Sequence, residues 1–305
     1  MVTGTRAGWK RFRVSRIILI LASCDDANMR MGKRLGQHFL TNTAIPKHIV
    51  ESANIQPTDI VLEVGPGKGI LTQFLVEKAK KVIAIEKDAA LVRYLEEKFE
   101  DAKNLEVVGG DILLCHTKLD PASKTFKKNT GFPKNSGFRV KPGMTFITPK
   151  KYKIVANLPY YITSRFLRLF LEEMTNKPQS MVLMVQKEVA ERICAKPPHM
   201  NLLALSVQAF GRPKILFRVG KGNFSPPPEI DSAVIAIENI SDNFFKKHHI
   251  LPQEFFKLPK KSFSQKRKML RSSVGSYVKG GLPYVFETKR PQELTLENWT
   301  QIISK

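Results

Sequence analysis

Cysteine is scarce in this chain of 305 residues: Cys24, Cys115 and Cys194 are far apart, with no C-x-x-C pair. That excludes a disulfide framework and a cysteine-built zinc site, and it suits a reducing, cytoplasmic setting. Long apolar runs are also missing. The longest near the start, Ile17 to Ala22, follows the cations Arg6, Lys10, Arg11, Arg13 and Arg16 and imitates an export signal. Six residues fall short of a signal core and far short of the ~20 that span a bilayer, so no membrane partner is read. With Met29 and Met31 just downstream, residues 1–30 are read as a non-native start or a disordered extension.

Negative charge is the other deficit, with 27 acidic residues against 50 basic ones and a net charge of +23. The excess is localised. Residues 1–35 carry 8 basic and 2 acidic groups, residues 116–153 carry 10 and 1, and residues 241–305 carry 13 and 5. The remainder holds 19 of each sign. A neutral body with basic appendages fits an enzyme acting on a polyanion, because lysine and arginine gain affinity by releasing phosphate counterions. General solubility needs a net charge of only about 2–8.

What is present is the rhythm of an α/β protein. Buried strands are expected at 59–64, 82–86 and 105–108, separated by helical periods at 71–75 and 88–99. Further strands are expected at 152–156, 180–185, 214–219 and 233–237, the last two antiparallel, with helices at 46–54, 163–175, 186–195 and 199–210. Alternation of this kind implies a parallel sheet with its ligand at the carboxyl ends of the strands. The predicted fold is therefore a Rossmann-like seven-stranded domain over 31–240, with a basic insert at about 116–150 that is too long for an ordinary connection. A small helical domain is expected over 241–305, with helical patterns at 252–263, 265–277 and 294–303.

Four motifs carry chemistry. In Glu63-Val64-Gly65-Pro66-Gly67-Lys68-Gly69, Gly65 and Gly67 let the backbone turn tightly and a ligand come close. The G-x-G-x-G spacing, with a carboxylate two residues ahead and no G-K-[ST], points to S-adenosylmethionine in place of a phosphate ligand. Glu86 ends the second strand, where a carboxylate accepts ribose hydroxyls. Asp111, after Gly109-Gly110, is placed to accept the adenine amine of such a cofactor. Either acid has a plainer reading as a solvated strand end. Asn157-Leu158-Pro159-Tyr160 follows the fourth strand: the Asn157 amide oxygen and the Leu158 carbonyl would accept the protons of an adenine amine, and Tyr160 would stack on the base. No metal is required.

These residues resemble the bacterial small-subunit ribosomal RNA adenine N6,N6-dimethyltransferase family, over nearly everything from Lys33 onward except the insert. The segments that carry the resemblance are Arg34 to Leu40, Glu63 to Gly69, Asn157 to Tyr160, Asn223 to Val234 and Phe263 to Arg271. It implies a methyltransferase that uses S-adenosylmethionine to dimethylate two adjacent adenines near the 3' end of 16S rRNA, in the immature 30S subunit, working as a monomer. It further implies that His38 and Leu40 contact the methionine end of the cofactor, with Gly65, Glu86, Asp111 and Asn157 completing the site. His38 stands where other members carry asparagine, so only a hydrogen bond carries over. Phe224 would close the second face of the base against Tyr160. Lys261, Lys268 and Arg271, expected to share one face of a basic helix, would meet RNA phosphate. The resistance enzyme that methylates 23S rRNA and a non-catalytic assembly factor remain as alternatives.

Overall fold

A computed structural model describes residues 39–115, 149–278 and 280–304. His38, the extension 1–30 and nearly all of the basic insert lie outside the described residues. The centre is a seven-stranded sheet of β2 (Ile60–Val64), β3 (Lys81–Glu86), β4 (Leu105–Gly109), β5 (Lys153–Asn157), β6 (Met181–Gln186), β7 (Arg212–Val219) and β9 (Ser232–Glu238). Its order is β4-β3-β2-β5-β6-β9-β7, parallel except that β9 runs antiparallel to both β6 and β7. All seven expected strands are present, with ends within about two residues of those read from the apolar runs. Two short strands escaped notice: β1 (Phe39–Leu40) and β8 (Phe224–Ser225) pair antiparallel, with Leu40 opposite Phe224. Two-residue strands carry no periodicity to detect.

Sheet pleat sends alternate residues to opposite faces, and each face has its own core. On one side Leu62, Ile83, Ile154, Leu183 and Ile235 pack with α5 (Thr163–Arg168), α6 (Lys187–Ile193) and α7 (Leu202–Gln208). The same cluster takes in Phe245, Phe255, Phe256, Leu270, Val274 and Trp299, so the C-terminal helices share this core. On the other side Val61, Val82, Val155, Met184 and Val234 pack against α1 (Ala44–Ser52) and α2 (Thr72–Lys78) through Ile49 and Leu75. Leu40 and Phe224 belong to this second cluster. Between β3 and β4 runs α3 (Ala89–Lys98), and α4 (Ile112–Cys115) follows β4.

Three helical expectations need correction. The segment 163–175 is α5 followed by a π turn over Leu169–Glu173, which lets the adjacent residues Leu169, Phe170 and Leu171 all face the core. The segment 252–263 divides into α9 (Pro252–Phe255) and α10 (Lys257–Phe263), because Pro259 has no amide to offer the Phe255 carbonyl. The segment 265–277 is mostly turn, with only α11 (Leu270–Ser273) and a 3₁₀ turn at Gly275–Tyr277. Lys266, Arg267 and Lys268 are three adjacent exposed cations with no apolar residue to hold a helix face down. Lys261, Lys268 and Arg271 therefore do not share one helix. Beyond them lie α12 (Tyr284–Glu287) and α13 (Leu296–Ile303), and α8 (Asn243–His248) precedes α9.

Candidate active site

The sheet order reverses between β2 and β5, so the loops after these two strands flank the crevice where α/β folds bind ligands. After β2 the chain turns through Gly65, Gly67 and Gly69, with φ of +68°, +59° and +74°. Only glycine adopts these angles without strain. At Gly65 an added Cβ would lie 3.7 Å from Pro159 Cδ and 3.9 Å from the Asn157 carbonyl oxygen. The glycine turn and the Asn157 segment are thus in van der Waals reach of each other, as two halves of one cleft must be.

Glu86, 5% exposed, is tied to the glycine turn. Its Oε2 accepts the Gly67 amide at 3.1 Å, and its Oε1 accepts the amides of Lys87 at 2.8 Å and Asp88 at 3.0 Å. Burial pushes this carboxyl up, and the three amides pull it back toward the charged form. With three amides bound, lone-pair capacity remains for a hydroxyl donor. Deeper in, Glu63 is 1% exposed and Oε2 accepts from the Thr72 hydroxyl at 2.8 Å. Burial pushes its carboxyl up to about 8, against the Thr72 bond, and the nearby Glu86 adds to the rise. Glu63 is accordingly mostly neutral at pH 7.

Asp111 follows β4 at the same end of the sheet. Its Oδ1 accepts the Leu113 amide at 2.9 Å, and its Oδ2 lies 3.0 Å from Lys87 Nζ. That hydrogen bond raises the Lys87 pKa, and Tyr161 adds to it electrostatically. Lys87 therefore occupies one oxygen of the acid expected to read adenine. Sequence reasoning passed over it, although it directly follows Glu86.

Pleat places the remaining groups on one side. Asn157 follows Val155 by two residues and Glu63 follows Val61, so both project to the face that holds Leu40 and Phe224. Ser232 precedes Val234 by two and shares that face; its Oγ lies 2.8 Å from Tyr160 Oη. The Asn157 amide, the Tyr160 hydroxyl and the Phe224 ring are thus all toward the same side of the sheet. The Leu158 amide donates to the Met184 carbonyl at 3.2 Å, which continues the β5–β6 ladder and fixes the backbone at the motif. Phe224 is only 5% exposed, packed in the second core, and Asn223 anchors its strand by accepting from the Thr41 amide at 2.9 Å and the Asn42 side chain at 3.0 Å. Ser232 is a further residue the sequence reading quoted without assigning a role. Beside it opens a cleft of about 360 Å³ with charged walls, including Lys187, Glu188, Lys221, Glu229 and Asp231.

Among the described residues no cluster of acids, histidines and cysteines could hold a metal ion, and no helix is long and apolar enough to cross a membrane. The donor set is a glycine-lined turn, a buried strand-end carboxylate and a second acid at the same end of the sheet, which suits a nucleoside ligand.

Fold and cleft define a Rossmann-like methyltransferase. The family model for ribosomal RNA adenine dimethylases matches residues 28–303, and the chain belongs to that family. It is 36% identical over 283 residues to the ribosomal RNA small subunit methyltransferase A of Dehalococcoides mccartyi, covering 90% of this chain and 88% of that one. It is 35% identical to the protein of the same name from Alkaliphilus metalliredigens, covering 90% and 91%. Among solved structures, a dimethyladenosine transferase from Plasmodium falciparum superposes with a TM-score of 0.65 at 25% identity, over 87% of this chain and 96% of that one. The 23S rRNA methyltransferase ErmE shares the fold, with a TM-score of 0.57 at 23% identity, over 88% and 100%.

Proposed function

We propose that this enzyme uses S-adenosylmethionine to dimethylate N6 of two adjacent adenosines near the 3' end of 16S rRNA, in the immature 30S subunit, as a cytoplasmic monomer. The observation that carries the reading is the close approach of the glycine turn to the Asn157 segment, with Tyr160 and Phe224 on the side to which Asn157 points. The curated relatives named for the small subunit support the choice of RNA.

Leu40, Gly65, Gly67, Glu86 and Asp111 would hold the cofactor, together with His38. When bound, it supplies an electrophilic methyl group on a sulfonium. The chain supplies position. An adenine amine is a poor nucleophile because its lone pair is delocalised into the ring. The Asn157 amide oxygen and the Leu158 carbonyl would accept its two N–H groups and turn the lone pair out of conjugation, with the base held between Tyr160 and Phe224. The proton released from nitrogen passes to solvent, so no strong base is needed. The C-terminal helices, with Lys268 and Arg271 exposed, would bind RNA phosphate.

Transfer of labelled methyl groups to immature 30S subunits, with the modified nucleotides mapped, tests this. Adjacent dimethyladenosines in 16S rRNA are expected; binding to the 30S subunits without transfer, or transfer to protein-free 23S rRNA offered in a parallel reaction and none to the 30S subunits, refutes it. Asn157→Ala should abolish transfer while keeping RNA affinity, and unchanged turnover would remove Asn157 from its role. Lys268→Ala with Arg271→Ala should weaken RNA binding with a shallower salt dependence.

A further inference from the structure

The C-terminal helices leave aromatic and apolar side chains in solvent that the fold does not use. Tyr284 is 85% exposed, Val285 66%, Tyr277 59% and Met269 36%. Their neighbours are anchored: Phe286 is buried beneath α12, and Leu270 and Ser273 are buried beneath α11. The Leu270 amide donates to the Lys289 carbonyl at 2.8 Å, tying α11 to the end of α12. Ser262 Oγ and Ser273 Oγ, 3.3 Å apart, tie α11 to α10. Tyrosines on such a frame are exposed by the backbone path, not by fraying.

Two features say what covers them. Lys261 Nζ lies 3.2 Å from the centre of the Tyr277 ring, a cation over a π face. The cation expected to meet phosphate is therefore spent on an aromatic ring, which it steadies while more than half of the tyrosine stays open. In the same stretch of chain, Lys266, Arg267, Lys268, Arg271 and Lys289 are all exposed, and none is in an ion pair with a described acid. Exposed rings interleaved with unpaired cations match a nucleic acid whose bases are free to stack and whose phosphates lie alongside.

We propose that Tyr277 and Tyr284 are stacking platforms for unpaired bases of the RNA substrate, outside the catalytic cleft, with the surrounding lysines and arginines on its phosphates. This rests on the RNA-modifying reading above and deepens it: the C-terminal surface reads unpaired nucleotides and is not a uniform phosphate clamp. Duplex RNA hides its base faces and offers these rings nothing.

The test uses the full chain and two probes, a single-stranded fragment of 16S rRNA and the same fragment annealed to its complement. Tyr277→Leu and Tyr284→Leu keep apolar bulk and remove the ring; the phenylalanine variants keep the ring. Each leucine variant should weaken binding of the unpaired fragment by about tenfold, the loss of one stacked base. The slope of affinity against salt should not change, because no phosphate contact is lost, and phenylalanine should restore binding. The duplex should bind all variants alike. Equal affinity of the leucine variants and the wild type for the unpaired fragment overturns the proposal, as does failure of phenylalanine to rescue. A parallel loss on the duplex, a ring-dependent shift in sedimentation of the protein alone, or ring-dependent binding to anionic vesicles also overturns it. Methyl transfer to 30S subunits is measured separately, so the enzyme assignment can stand while the platforms fall.

Discussion

Replacing Glu63 by glutamine keeps the shape of a neutral carboxyl and its bond from the Thr72 hydroxyl, but removes the ability to ionise. The wild-type group has an ordinary value of 4.5 when the chain is unfolded and about 8 when folded, chiefly because burial disfavours the charge. Between those values the folded state binds more protons than the unfolded one, so stability falls as pH rises, with the full loss reached above about pH 8. The gap corresponds to roughly 5 kcal/mol in total, of which about 3 kcal/mol falls between pH 5.5 and 8.5. Glu63→Gln escapes this loss. Urea unfolding of both proteins at fixed ionic strength across that range should show the variant gaining on the wild type as pH rises, by about 3 kcal/mol, or about 5 °C in melting temperature. Taking the difference cancels the titration of groups common to both. Parallel stability curves would mean that Glu63 is ionised in the folded protein and that its burial is offset by something beyond Thr72.

Three further changes probe the cleft. Lys87→Gln releases one oxygen of Asp111 and should tighten binding of cofactor or its demethylated product by up to about fivefold, the scale of an exposed ion pair; calorimetric titration showing weaker binding would contradict a competing role. Ser232→Ala removes a partner of the Tyr160 hydroxyl and should lower kcat by about three- to thirtyfold with RNA affinity unchanged, and a change confined to affinity would instead place Ser232 in RNA docking. Gly69→Ala puts a Cβ 2.5 Å from Phe99 Cε2 and 2.9 Å from Leu95 Cδ2 at a φ of +74°, which should cost roughly 2–4 kcal/mol in chemical unfolding. A near-neutral result would show that the Phe99 ring simply yields.

Strands were the most legible part of the chain because residues such as Val61-Leu62 and Val182-Leu183-Met184-Val185 are buried on both faces and read as unbroken apolar runs. The places of the glycine turn, Glu86 and Asn157 were legible because they lie at strand ends that the runs already mark. Hydroxyl and ammonium partners were not. Ser232 meets Tyr160 across 72 residues, and Lys87 meets Asp111 across two strand ends, pairings that only the sheet order creates. The C-terminal helices were read too long because helical spacing of a few apolar residues continues across Phe256, where Pro259 leaves the Phe255 carbonyl without an amide, and through the run Lys266 to Lys268, which forms turns.

Leu40 and Phe224 face each other on a ribbon only two rungs long, clamped by Asn223 to Thr41 and Asn42. A residue assigned to the methyl donor and a ring assigned to the acceptor base therefore share a single ribbon. Displacing one strand drags the other, so arrival of the donor would reset the wall against which the acceptor closes. Such coupling would make the two substrates load in a preferred order, with the small molecule preparing the berth for the large one.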